Sequence, residues 1–111
     1  MTGCGHWRIP PAKSGDCMFV VLLTYVKGLD VVDGLLAAHV RFLEEHYATG
    51  TFLLSGRKEP RTGGVILARA PSREALLDVL AQDPFAREGA ARYDVVEFTP
   101  SKAAPELAGL L

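Results

Sequence analysis

Hydrophobic and polar positions along the chain predict a first unit in which a strand, a helix and a strand follow one another. Residues 18–26 are apolar, aromatic or β-branched throughout, which indicates a mostly buried strand that ends at Lys27-Gly28. Residues 51–55 form a second short apolar run and predict the next strand. The segment between them predicts a helix, with Asp30 as its N-cap and Gly50 as its stop. Apolar side chains and two histidines recur there at helical spacing: Val32, Leu35, Leu36, His39, Phe42, Leu43 and His46.

A second unit of the same kind follows. Residues 64–70 predict a third strand, and Ser72 is a suitable N-cap for a helix over residues 73–81. Asp83-Pro84 is expected to break that helix, because proline restricts the backbone before it. Residues 93–98 predict a fourth strand, because they are rich in aromatic and β-branched side chains and lie between Gly89 and Pro100.

The segments between and outside these units set the predicted boundaries. Residues 56–63 are polar and rich in glycine and proline, which favours a hairpin with a long loop. The stretch before Met18 has strong breakers and no apolar period. We therefore expect an N-terminal extension at 1–17, a domain at 18–100 and a tail at 101–111 that could form a short helix.

The order βαββαβ predicts an α+β, ferredoxin-like fold with an antiparallel four-stranded sheet and both helices on one face. The strands are apolar on both faces, as the runs at 19–23 and 65–68 illustrate. In a monomer the face without helices would expose a large apolar patch, and such patches usually mark interfaces. We therefore expect a homodimer in which two sheets pack face to face.

Composition narrows the function classes. The chain has 111 residues, 12 basic against 13 acidic, and 49% hydrophobic residues, which is typical of one soluble domain. The near-zero net charge argues against nucleic-acid partners, and the third strand lacks the aromatic and basic pattern of RNA-binding sheets. The longest apolar run, at 18–23, is far shorter than the roughly 20 residues that cross a bilayer. With no hydrophobic signal segment, we expect a cytoplasmic protein without membrane partners.

Metal and cofactor sites have little support in the sequence. Cys4 and Cys17 do not form a CxxC motif, and the nearby His6 adds only one further donor for zinc. His39 and His46 also lack a third ligand in the sequence around them. No Walker or dinucleotide pattern is present. We expect reduced thiols, no metal and no cofactor.

His39 is the candidate for acid–base chemistry, because it lies on the apolar stripe that should face the sheet. A buried imidazole needs a polar partner, and most such histidines belong to the core rather than to a catalytic site. A neighbouring carboxylate would fix its tautomer and support its protonated form. Asp83, the residue before Pro84, is by its position a common turn residue that bonds its own backbone.

Other polar candidates lie around the predicted hairpin. Ser55 could donate a hydrogen bond at the end of its strand, but the GxSxG elbow of hydrolases is missing. Arg57 and Arg61 could hold a substrate carboxylate or phenolate, since a guanidinium suits that task. The alternative is an ordinary solvated hairpin tip.

Several short motifs together resemble the YciI-like (YCII-related) family over residues 18–99. They are the order of elements, His39 inside the apolar stripe, Ser55-Gly56 ending the second strand, and Asp83-Pro84-Phe85 after the second helix. The resemblance implies a ferredoxin-like fold that pairs into a dimeric α+β barrel, with His39 and Asp83 as the active-site pair. The chain departs from the family at Gly56-Arg57, where many relatives have Gly-Pro.

The resemblance implies a small cofactor-independent enzyme that transfers a proton on a small carbonyl or cyclic substrate, as a lyase, isomerase or dehydrochlorinase-like enzyme. His39 and Asp83 would be catalytic, and the expected substrate-binding residues are Ser55, Gly56, Arg61 and Phe85. The alternative is a non-catalytic dimeric module that binds a small ligand or a protein partner. Haem binding through a histidine is a third and weaker hypothesis.

Overall fold

The computed structural model describes residues 16–111, so the predicted extension lies outside the described residues except for its last two positions. The order of strands and helices agrees with the prediction, and one short helix, α3, adds to it. A 3₁₀ helix, Pro105–Leu110, lies in the predicted tail. The elements are β1 Cys17–Tyr25, α1 Leu29–Ala48, β2 Phe52–Arg57, β3 Gly63–Ala70, α2 Arg73–Leu80, α3 Pro84–Arg87 and β4 Ala91–Phe98.

The four strands form one antiparallel sheet in the order β2-β3-β1-β4. Because β3 lies between β1 and β2, and β1 lies between β3 and β4, each strand–helix–strand unit is split by a strand of the other. This is the ferredoxin-like α+β arrangement, and the predicted fold class is confirmed.

Side chains alternate between the two faces of the sheet, as the pleat requires. On β1, Phe19, Val21 and Leu23 are buried and face the helices, whereas Val20 and Leu22 point to the other face. The register pairs Val21 with Ile66, so the helix-facing positions of neighbouring strands are in line. The core lies on this face and is completed by Val32, Phe42, Phe52, Ala68, Leu76, Leu80 and Phe85.

The start of α1 corrects one prediction. Gly28, with extended backbone angles, occupies the N-cap position and makes no side-chain hydrogen bond, so Asp30 is not the cap. The Gly28 carbonyl accepts from the amides of Val31 and Val32, which closes the first turn earlier than expected. Asp30 instead lies in the first turn, where its charge suits the helix dipole.

The hairpin between β2 and β3 is tighter than the sequence suggested. Pairing of Gly56 with Val65 and of Arg57 with Gly64 extends β2 by two residues beyond Ser55. The amide of Lys58 then donates to the Gly63 carbonyl at 2.9 Å, and the loop is only residues 58–62. The predicted loop at 56–63 was therefore too long. Polar side chains and glycines at its ends suggested a loop, although their backbone groups pair between the strands.

The face of the sheet away from the helices carries many apolar side chains together with the ion pair of Arg92 and Asp94, and we call it the open sheet face. Its side chains include Leu54, which is 66% exposed, and Val96, which is 51% exposed. The remaining apolar members are Val20, Leu22, Val65, Leu67 and Phe98. Across residues 16–111, none of the helices has the length and apolar character that crossing a bilayer requires.

Candidate active site

A cavity of about 210 Å³ lies between α1 and the β2–β3 side of the sheet. Its walls are mostly apolar, which is typical of pockets that bind small organic molecules. The polar groups among them are few, and they include the side chains of His39, Ser55 and Arg57, which sequence analysis had singled out. The lining residues are Leu23, Tyr25, Leu36, His39, Val40, Leu43, Ser55, Gly56, Arg57, Gly63, Gly64, Val65, Ile66 and Phe85.

His39 and Asp83 form a hydrogen bond at the back of this cavity. The His39 Nδ1–H donates to Asp83 Oδ1 at 2.8 Å, and the side chains are 12% and 0% exposed. A carboxylate only accepts, so this contact places the imidazole proton on Nδ1. Within residues 16–111 no hydrogen bond reaches Nε2, which leaves that nitrogen available to a ligand in the cavity.

Asp83 is held by two further donors. It is the N-cap of α3, and its Oδ1 accepts the Phe85 amide at 3.0 Å. Its Oδ2 accepts the Tyr93 hydroxyl at 2.5 Å. A fully buried carboxylate is costly unless it is paired and hydrogen-bonded, and three donors from α1, α3 and β4 meet that need.

Tyr93 reaches Asp83 from β4, whose register places it opposite Leu23 on the helix-facing side of the sheet. Burial raises the pKa of the Tyr93 hydroxyl well above its usual range, and the negative charge of Asp83 raises it further. The hydroxyl therefore keeps its proton at neutral pH and acts as a fixed donor to Asp83.

Aromatic rings hold the imidazole in place. Phe85 stacks on His39 with ring centroids 4.2 Å apart and an interplanar angle of 15°. Tyr25 meets the edge of Phe85 at 5.8 Å. Because Phe85 is buried and packed on two sides, the stacked imidazole has little freedom to rotate.

Ser55 and Gly56 line the cavity from β2. The Ser55 and Tyr47 hydroxyls form a hydrogen bond of 2.5 Å in which either oxygen can donate. When Tyr47 donates, the Ser55 hydroxyl proton is free to bind an oxygen atom in the cavity.

Arg61 lies outside the cavity wall. Its guanidinium donates to Asp33 of α1, and this ion pair ties the hairpin loop to the helix. Arg57 is the arginine that lines the cavity, and it also pairs with Glu59 at 3.3 Å.

His46 lies in the last turn of α1 and is partly exposed. Its Nε2 lies 3.1 Å from Gln82 Oε1, and its ring packs against Phe42 and Phe52. It is not part of the cavity wall. Over residues 16–111, no three histidine, cysteine or acidic side chains cluster in a way that could hold a metal ion.

Sequence reasoning missed Tyr93 and Tyr47. Strand alternation with Val95 could have placed Tyr93 on the helix-facing side, because residues two apart share a face. The last turn of α1 could likewise have placed Tyr47 near β2. In neither case does the sequence say which polar group the hydroxyl would meet.

Comparisons with known proteins agree with this fold. The family model of the YCII-related domain matches residues 18–99. No curated protein matches the chain. Among solved structures, 5-chloro-2-hydroxyhydroquinone dehydrochlorinase from Burkholderia phenoliruptrix, in complex with 2,5-dihydroxybenzoquinone, is similar with a TM-score of 0.67 and 21% identity over 76% of this chain and 95% of that chain. The cofactor-independent oxygenase SnoaB from Streptomyces nogalater has a TM-score of 0.50 and 17% identity over 84% of this chain and 100% of that chain.

Proposed function

The chain belongs to the YCII-related domain family, and from this membership and the site we propose that it is a small cofactor-independent enzyme. It binds a small cyclic or carbonyl compound in the cavity beside α1 and moves a proton with His39. The observation that carries this proposal is the hydrogen bond from His39 Nδ1 to Asp83 at the cavity wall, which leaves Nε2 without a hydrogen bond to any residue of 16–111.

Asp83 and His39 have complementary roles in this proposal. The carboxylate fixes the tautomer in which Nε2 is the proton acceptor. When Nε2 takes a proton from the substrate, the nearby negative charge stabilises the imidazolium that forms. General acid–base catalysis of this kind contributes typically about 10²- to 10⁴-fold in rate.

The cavity favours one planar ring as substrate. An engineered apolar cavity of about 150 Å³ holds benzene, so a volume of about 210 Å³ accommodates a single substituted ring. Leu36, Val40 and Leu43 supply apolar walls, and Ser55 can donate to a carbonyl or hydroxyl oxygen. Arg57 is better placed than Arg61 to meet an anionic substituent, because it lies in the cavity wall.

Elimination of hydrogen chloride is a reaction that such a site can perform without a redox cofactor. In the keto form of the ring, a hydroxyl proton has moved to the carbon that carries chlorine. A base then removes the proton of a second hydroxyl, the electron pair of that O–H bond forms a C=O bond, and a ring double bond shifts. Chloride leaves with the electron pair of the carbon–chlorine bond, and the product is a hydroxyquinone. The similar dehydrochlorinase structure, with its bound dihydroxybenzoquinone, supports this substrate class for the present chain.

We also propose that the enzyme is a homodimer that buries the open sheet face of each copy. Leu54 and Val96 are large apolar side chains that are more than half exposed on this face. A contiguous exposed apolar surface on a sheet is a typical interaction site, and a second copy offers a matching surface by symmetry.

A binding experiment with 2,5-dihydroxybenzoquinone tests the site. We expect the compound to raise the melting temperature of the wild-type protein, because a ligand that binds only the native state stabilises it. His39→Gln keeps an amide that can reach Asp83 but removes the titrating ring, and His46→Gln is the matched control on the same helix. Binding weakens in His39→Gln and is retained in His46→Gln if the proposal is right.

Chloride release from 5-chloro-2-hydroxyhydroquinone and related chlorinated phenols tests the reaction. We expect turnover in the wild type and a loss of about 10²-fold or more in His39→Gln. Binding without turnover across the panel would favour a non-catalytic ligand-binding module. Binding that is equal in His39→Gln and wild type would contradict the assigned site.

A further inference from the structure

Tyr93 is a partly buried titratable side chain for which the proton-transfer step has no direct use. It makes a 2.5 Å hydrogen bond to Asp83 Oδ2, while His39 and the Phe85 amide both bond Oδ1. The two oxygens of the Asp83 carboxylate therefore accept hydrogen bonds from different groups. Tyr93 itself does not line the cavity, so it acts on a ligand only through Asp83.

We propose that Tyr93 is a positioning residue that takes a share of the Asp83 charge through its hydrogen bond to Oδ2 and thereby weakens the hold of Asp83 on the His39 proton. This inference gains its catalytic meaning from the proposed function and rests on it in that respect. The interaction itself can be measured without any substrate.

The Asp83 carboxylate lies out of reach of solvent. Its side chain is 0% exposed, so its negative charge is dispersed only over protein donors. A hydrogen bond between a hydroxyl and a carboxylate is short and about twice as strong as one between neutral groups. Without the Tyr93 hydroxyl, more of the charge would face His39 Nδ1, and the protonated imidazole would be held more tightly.

A base of moderate strength suits the proposed reaction. An imidazole that is already protonated at neutral pH cannot accept a proton from the substrate. Catalysis is best when the pKa of the base lies near the working pH. Among residues 16–111, the charged or titrating side chains that bond Asp83 are His39 from α1 and Tyr93 from β4. Tyr25 of β1 lies one ring further away, at the edge of Phe85.

Phenylalanine at position 93 is a clean probe, because it keeps the ring and removes only the hydroxyl. We expect an NMR titration of the His39 ring in Tyr93→Phe to have its midpoint at higher pH than in wild type, by about half a unit to one unit. Asp83→Asn should move the midpoint the other way, because it removes the negative charge. Tyr47→Phe removes the hydroxyl of an α1 tyrosine that bonds Ser55 and not Asp83, so it should leave the midpoint unchanged.

Each outcome decides the proposal. A higher midpoint in Tyr93→Phe supports charge sharing. An unchanged midpoint makes Tyr93 a packing residue, and a lower midpoint means that the hydroxyl only anchors the carboxylate; both overturn the proposal. If the wild type turns over no substrate, the proposed function fails while the titration still decides the role of Tyr93. If it does turn over, the acidic limb of its pH–rate profile should shift with the NMR midpoint.

Discussion

Asp83 combines two roles that the sequence presented as alternatives. It is the turn residue before Pro84, since its Oδ1 accepts the Phe85 amide and caps α3. The same oxygen also accepts from His39 Nδ1. A carboxylate has about four lone-pair sites, so one side chain can cap a helix and orient an imidazole at once. Removing Asp83 altogether would therefore disturb both α3 and the site, whereas Asn keeps an acceptor for the cap.

Tyr93 leads to a prediction about stability in alkali. Burial and the charge of Asp83 raise the pKa of Tyr93 in the native state above its unfolded value of about 10. Below that value both states keep the proton, and the stability is unaffected. Above about pH 10 the unfolded state loses a proton that the native state retains, so this one group lowers the free energy of unfolding by about 1.4 kcal/mol per pH unit.

Comparison of wild type with Tyr93→Phe isolates this effect from the other groups that titrate in alkali. Urea unfolding between pH 8 and 11 should give a steeper loss of stability in wild type than in Tyr93→Phe above about pH 10. Parallel curves for the two proteins would contradict the assigned burial and charge environment of Tyr93.

At the level of elements, periodicity predicted every strand and both longer helices, but it was weaker at their ends. Backbone pairing extends β2 through Arg57, and such pairing cannot be predicted from the polarity of the side chains. The short helix α3 was missed because Asp83-Pro84 indicates a break. Proline nevertheless suits the first turn of a helix, where its missing amide costs nothing.

Two glycines give opposite predictions for the stability of their elements. A Cβ at Gly63, where β3 begins beside β1, would lie 1.7 Å from the Leu23 carbonyl oxygen. That oxygen belongs to the central backbone of the sheet, so Gly63→Ala should destabilise by about 2 to 3 kcal/mol. A Cβ at Gly34 in α1 would meet nothing within 4 Å, and Gly34→Ala should stabilise by up to about 1 kcal/mol, because alanine is the better helix former.

Chemical denaturation of both variants checks this pair, and Gly34→Ala controls for the general effect of adding a methyl group. Gly63→Ala should unfold at a clearly lower denaturant concentration, and Gly34→Ala at an equal or higher one. An unchanged midpoint for Gly63→Ala would contradict the close approach of β3 to β1 at this point.

At the scale of the whole molecule, the site could be predicted only in part. The position of His39 on the sheet-facing stripe follows from helical spacing, and Asp83 was paired with it through the family resemblance. Tyr47 bonds Ser55, which lies eight residues later on the next strand, and Tyr93 bonds Asp83, which lies ten residues earlier at the start of α3. The sequence pattern does not indicate either partner, because the contact depends on how neighbouring elements pack. For Arg61 the sequence indicated a possible ligand-binding role and no protein partner. In the structure its guanidinium donates to Asp33 on α1.

The open sheet face gives the prediction that concerns assembly. Val96 lies on this face opposite Val20 and is 51% exposed. Val96→Glu should fold as a monomer with little loss of stability, because a half-exposed carboxylate remains hydrated. In the proposed dimer the same carboxylate would be buried without a partner, which costs about 2 to 5 kcal/mol and weakens association by at least about 30-fold.

Leu77→Glu is the matched control, since Leu77 is 44% exposed on α2. Sedimentation at micromolar concentration should give dimers for wild type and Leu77→Glu and monomers for Val96→Glu. A monomeric wild type, or a Val96→Glu variant that dimerises as well as wild type, would show that this face is not the interface.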